Sequence, residues 1–91
     1  MLKFEWDKAK AEANLRKHGI SFEEAASVFG DPMALTFEDP DHSIGEQRWI
    51  TFGISQVGRL LVVAHTGRRR ANRIISARKV TRRERGIYEQ G

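Results

Sequence analysis

No cysteine occurs in the 91 residues. A disulfide framework and a thiolate metal site are therefore excluded, and a reducing compartment suits the chain. No apolar run approaches the roughly 18 residues that cross a membrane. Met1-Leu2-Lys3-Phe4-Glu5-Trp6 lacks a signal-peptide pattern, so a cytoplasmic protein with no membrane partner is expected. A glycine-rich phosphate loop, a nucleophile elbow and a histidine pair at helical ligand spacing are missing too. His18, His42 and His65 stand far apart and outside any zinc-binding pattern. Neither a metal nor another cofactor is expected. There is no repeat, low-complexity stretch or linker, and residues 1–91 read as a single domain.

What the chain does hold is unevenly placed charge. It carries 16 bases and 12 acids, a net of +4. Residues 67–91 contain nine bases, eight of them arginine, against Glu84 and Glu89, a net of +7, while residues 1–66 have a net of −3. A basic pole of this kind faces phosphate, an acidic protein or an anionic surface. The preference for arginine favours phosphate, because a planar guanidinium can make two parallel hydrogen bonds where an ammonium offers a point charge.

Along the chain, Leu2 to Trp6 alternates as a short strand, with Leu2, Phe4 and Trp6 on one face. Asp7 is placed to cap a helix over Lys8–His18, with Ala11 and Leu15 on one side and Gly19 as a left-handed C-cap. Ser21-Phe22-Glu23-Glu24 is a capping box for a second helix, whose core face is Phe22, Ala25, Ala26 and Phe29 and which Gly30-Asp31-Pro32 ends. Met33–Phe37 reads as a strand, Glu38–Ser43 as a polar loop and Arg48–Ile54 as the next strand, with Arg48, Ile50, Phe52 and Ile54 on one face. After the turn Ser55–Gly58 comes the most apolar strand, Arg59–Thr66, suited to burial on both faces. A cationic loop at 67–71 leads to a last strand over Arg73–Val80, and Thr81-Arg82-Arg83-Glu84 caps a terminal helix reaching about Tyr88. The expected fold class is α+β: an N-terminal strand and two helices, then a mostly antiparallel sheet of three or four strands, then a C-terminal helix.

Two stretches could carry chemistry. Ser76 and Arg78 share a face of the last strand, and Arg82 follows in the first turn of the terminal helix, where the dipole disfavours positive charge. That placement implies a requirement other than helix stability. The second stretch, His42 to Arg48, sets a histidine, a carboxylate and an arginine where a loop meets a strand. On extended backbone Glu46 and Arg48 point the same way, as a tuned general base beside its cation or as a plain surface ion pair, and spacing alone favours the ion pair. Lys17 and His18 suit the negative end of the first helix. His65, Tyr88, Trp6 and Trp49 read first as core residues.

Together these pieces resemble the BrnT family of type II toxin–antitoxin toxins over nearly the whole chain. The match runs through Phe4-Glu5-Trp6-Asp7, Lys8, Lys10, Asn14 and Lys17-His18-Gly19-Ile20-Ser21-Phe22-Glu23-Glu24-Ala25. It continues with Phe29-Gly30-Asp31-Pro32, His42-Ser43, Glu46, Arg48, Gly58-Arg59-Leu60-Leu61-Val62-Val63, Arg73-Ile74-Ile75-Ser76-Ala77-Arg78, Thr81, Arg82, Glu84 and Tyr88. The resemblance implies a RelE-like fold and metal-independent cleavage of mRNA, free or on the ribosome, that inhibits translation. It also implies neutralisation by a BrnA-like ribbon-helix-helix antitoxin, through which the pair binds operator DNA and regulates its own operon. For such a reaction the candidate catalytic set is His42, Glu46, Arg48, Arg78, Arg82 and Tyr88, with Lys17, His18, Arg68, Arg69, Arg73 and Ser76 binding RNA; the family does not itself fix these roles. In that set Glu46 or His42 is the base, and Arg48, Arg73, Arg78 and Arg82 hold the phosphate while Tyr88 or Ser76 assists. The rival reading is a non-catalytic protein whose arginine face holds RNA or DNA, or docks an antitoxin.

Overall fold

Three helices form where side chains satisfy their first amides. The computed structural model describes residues 3–39, 41, 45–67 and 71–91, and the backbone of Arg68. Asp7 accepts the Lys10 amide at 3.0 Å and opens α1 (Lys8–His18), which Gly19 closes in the left-handed region at φ 71°. Ser21 caps α2 (Phe22–Ser27) through the Glu24 amide, and a 3-10 turn (Val28–Gly30) follows. The reciprocal half of that expected capping box is absent, because the Glu24 carboxylate turns to Ser55 and Arg59, at 2.7 and 2.9 Å. Thr81 and Glu84 make both halves of theirs and open α3 (Arg82–Gln90).

The strands are β1 (Phe4–Glu5), β2 (Leu35–Glu38), β3 (Arg48–Ile54), β4 (Leu60–Arg68) and β5 (Ala71–Lys79), ordered β1-β5-β4-β3-β2. Neighbours are antiparallel except β1, which joins the edge of β5 in parallel and brings the sheet to five strands. The α+β expectation holds, with local shifts of boundary. β2 starts at Leu35 rather than Met33, because Asp31 draws the Met33 amide (2.9 Å) and the Ala34 amide (3.1 Å) into a turn. The cationic loop is shorter than expected, since β4 and β5 stay paired out to Arg68 and Ala71 and leave only positions 69 and 70 between them.

α1 and α2 cover one face of the sheet. Ile20, Phe22, Ala25 and Val28 pack there on Leu61, Val63, Ile74 and Ala77, every one at most 1% exposed. Gly53 lies under the 3-10 turn, where a Cβ would come within 2.7 Å of Val28 Cγ1, so no larger residue fits without a shift. The inward position of α1 is polar: Leu15 is 51% exposed while Asn14 is buried. α3 lies on the other face, where Arg78 reaches Glu84 and Gly91 rests against Leu35. With both faces covered, β4 is buried from Leu60 to Thr66, as its apolar run predicts.

Candidate nucleic-acid interface

The face that carries α3 also collects the arginines, and an irregularity in β5 is the reason. Ser76 pairs with Ala64 but Ile74 pairs with His65, so Ile75 is an extra residue in the ladder. Strand residues alternate sides, and Arg73 and Arg78, an odd number apart, would point in opposite directions on a regular strand. The bulge restores them to one face. Arg48, Thr66 and Arg73 then form one rung across β3, β4 and β5, followed by Ile50, Ala64 and Ser76, and by Phe52, Val62 and Arg78. Arg48, Arg73, Ser76 and Arg78 thus share a surface.

Carboxylates hold these guanidinium groups in place. Arg73 Nη1 donates to Glu5 Oε2 at 3.0 Å, and Arg48 Nε lies 3.9 Å from Asp39. Arg78 grips Glu84 with both fork nitrogens, at 2.8 and 2.9 Å, and also donates to the Lys79 carbonyl. That grip pulls the Glu84 pKa down to about 2, with the Thr81 amide assisting against the cost of burial. Arg78 is therefore fixed in orientation, but its fork is engaged. A phosphate meets only its remaining N–H groups unless Glu84 gives way.

A second cationic surface adjoins the first. Lys10, Ala13, Asn14, Lys17, His18, Ile75 and Ser76 line a cavity of about 250 Å³ between α1 and the outer edge of β5. It unites Lys17 and His18 with Ser76, 58 or more positions further along the sequence, and adds Lys10. Beyond Arg73 the edge of β5 is no longer covered by β1, and Asn14 closes it: its amide donates to Ala77 O (2.8 Å) and Ile20 O (3.0 Å) and accepts the Ala77 amide (3.1 Å). At the other end of β5, a cavity of about 300 Å³ is lined by Gly58, Arg59, Leu60, Lys79, Val80 and Arg85. Its Arg59 is committed to Glu24 and to the Gly19 carbonyl.

The other expected site residues belong to α3, to the segment before β3 or to the buried side of β4, or fall outside the described residues. Tyr88 donates its hydroxyl to Asp31 Oδ2 at 2.6 Å, a bond that, with burial, pushes its pKa up to about 12. Arg82 is exposed at the start of α3. Glu46 precedes β3 rather than lying in it, in a bend next to Gly45 at φ 80°, so strand alternation does not set its direction relative to Arg48. His42 and Arg69 fall outside the described residues, and Arg68 is seen only as backbone paired with Ala71. His65 is on the helix-covered face, bonded through Nε2 to Thr51 at 2.7 Å, and burial lowers its pKa to about 4. It stays neutral at pH 7. Among the described residues no group of three His, Cys, Asp or Glu side chains could hold a metal ion, and no helix is long and apolar enough to cross a membrane.

Residues 6–84 match the family described as the ribonuclease toxin, BrnT, of type II toxin–antitoxin systems. The crystal structure of the Brucella abortus ribonuclease toxin BrnT is similar in fold, with a TM-score of 0.70 at 21% sequence identity, covering 90% of this chain and 100% of that one. No curated protein matches the chain.

Proposed function

The chain belongs to the BrnT family of ribonuclease toxins of type II toxin–antitoxin systems, and from that premise we propose that it cleaves RNA without a metal ion, on the sheet face that bears Arg48, Arg73, Ser76 and Arg78. In this reaction the 2′-oxygen attacks the adjacent phosphorus and gives its proton to a base. The bond from phosphorus to the 5′-oxygen breaks, and that oxygen takes up a proton. The products are a 2′,3′-cyclic phosphate and a 5′-hydroxyl end. Such a step needs little more than proton transfer and fixed positive charge around a phosphorane-like transition state. Arg48 and Arg73 supply that charge, each standing beside a carboxylate, Asp39 and Glu5. Glu46 or His42, from the segment leading into β3, takes the 2′ proton. Ser76 lies one rung away and contacts the ribose or the phosphate, and Lys17 and His18 carry the flanking strand in the neighbouring groove.

The bulge at Ile75 carries this reading, because it brings Arg73 to the surface that Arg48 and Arg78 share. Arg78 works from its fixed position against Glu84, steadying the start of α3 beside Arg82. Tyr88 has a bracing role in this reading, supported by its bond to Asp31. A phenol bonded to a carboxylate, with its pKa near 12, gives up a proton poorly. The partner is an antitoxin, as the family implies, and we take it to be a ribbon-helix-helix protein like BrnA that covers the arginine face and carries the complex to operator DNA in the cytoplasm.

The test is cleavage of purified RNA by the isolated protein in EDTA, with and without ribosomes, beside Glu46→Ala and Arg73→Ala. We expect metal-free cleavage with cyclic-phosphate ends, reduced about 100-fold or more in either variant while melting temperatures hold. RNA bound but uncut, with and without ribosomes, would establish the non-catalytic binder instead.

A further inference from the structure

We propose that Thr66 donates its hydroxyl to a phosphate oxygen of bound RNA, completing a phosphodiester subsite with Arg48 and Arg73. The inference rests on the ribonuclease reading above. Thr66 is 3% exposed, and its Oγ1 is buried without a hydrogen-bond partner among the described residues. A polar atom left in that state is costly, and native structures rarely keep one without a use. Thr51, equally buried one strand away on the opposite face, shows the ordinary solution: its hydroxyl is shared with Thr36 at 2.8 Å and His65 at 2.7 Å. Valine has the shape of threonine without the hydroxyl, and a strand shaped only for stability would carry it at position 66.

The register gives the orphan atom its neighbours. Thr66 stands directly opposite Arg48 on β3 and directly opposite Arg73 on β5. Cross-strand partners have Cβ atoms about 4.5–5.5 Å apart, so the hydroxyl is rooted between two guanidinium-bearing side chains. As the chain stands these reach sideways to Asp39 and Glu5. An incoming phosphodiester competes with those carboxylates for the two forks. As the arginine side chains swing onto it, the anion is drawn over the middle of the rung, where Thr66 is the remaining donor. Two planar forks and one hydroxyl then meet a tetrahedral anion from three directions, a fixed set of donors of the kind that stabilises charge building up in a transition state.

The test is binding of a 2′-O-methyl RNA oligonucleotide, whose attacking hydroxyl is blocked, measured by fluorescence anisotropy in EDTA for the wild type, Thr66→Val and Thr66→Ser, each with its melting temperature. We expect Thr66→Val to bind about 5–10-fold more weakly while melting at or above the wild-type temperature, and Thr66→Ser to stay within about 2-fold of the wild type. Unchanged affinity in Thr66→Val would overturn the inference. So would equal weakening of both variants with lowered melting temperatures, which would mark a packing role. A wild type that fails to bind this RNA at all would sink the RNA reading and the subsite with it, whereas binding indifferent to Thr66→Val removes the subsite alone.

Discussion

Asn14 does with one side chain what another strand would do for a whole sheet edge. It satisfies both backbone groups of Ala77 and the carbonyl of Ile20, and it is 7% exposed. Asn14→Ala leaves three buried backbone groups without partners, and a loss of about 2–3 kcal/mol is expected. Urea unfolding should show a lower midpoint at unchanged slope, with faster hydrogen exchange at the Ala77 amide. A midpoint within error of the wild type would mean that water replaces the amide at no cost. This residue also marks where a reading of sequence stops. Asp7, Ser21, Gly19 and Thr81 are legible because a cap bonds to residues three or four positions away. Asn14 bonds to a residue 63 positions on, and local pattern shows only an unremarkable polar residue between Ala11 and Leu15. Glu24 fails as half of a capping box for the same reason, since its partners Ser55 and Arg59 are distant in sequence and provide the stronger bonds.

At the scale of elements, the strands are legible from alternation and the helices from caps, but their relation across the sheet is not. Ser76 and Arg78 share a face on any regular strand. Arg73 joins them only through the bulge, which arises from pairing with β4 and has no signature in β5 itself. α3 is the other element whose docking the sequence hides. None of its residues is fully buried, and it is held to the body by Arg78 to Glu84 at one end and Tyr88 to Asp31 at the other. Tyr88→Phe removes the second tie while Asp31 keeps the Ile54 and Met33 amides at 2.8 and 2.9 Å. We expect a stability loss of about 1 kcal/mol, hydrogen exchange rising within α3, and RNA cleavage reduced less than about 10-fold. A general acid lost from the reaction would cost about 100-fold or more, so a drop of that size with normal exchange in α3 would return Tyr88 to the proton-transfer role.

For the molecule as a whole, the basic residues of the last segment are divided, Arg73 and Arg78 on the arginine face and Lys79 and Arg85 in a separate cavity, and the two cationic cavities beside β5 differ in what they offer. The groove of Lys10, Lys17 and His18 includes no acid in its lining, adjoins the arginine face through Ser76, and draws its lysines from the N-terminal part of the chain, whose net charge is negative. Summed charge by segment therefore misplaces part of the proposed interface, because folding sets α1 beside the bulge of β5. The cavity of Arg59, Lys79 and Arg85 is as cationic by count, yet Arg59 is held by Glu24 and by the Gly19 carbonyl. An RNA strand lying across the arginine rungs is therefore expected to continue over the bulged edge of β5 and along α1, rather than toward the β3–β4 turn. Each phosphate contact on a single strand contributes about 0.7 to the slope of log affinity against log salt. Replacing Lys10 and Lys17 together by glutamine should lower that slope by about 1.4 and weaken binding evenly across RNA sequences. Lys79→Gln should leave it unchanged. The opposite result, a slope reduced by Lys79→Gln and indifferent to the groove lysines, would route the strand past Arg59 and Arg85 and give the α1 groove to the antitoxin.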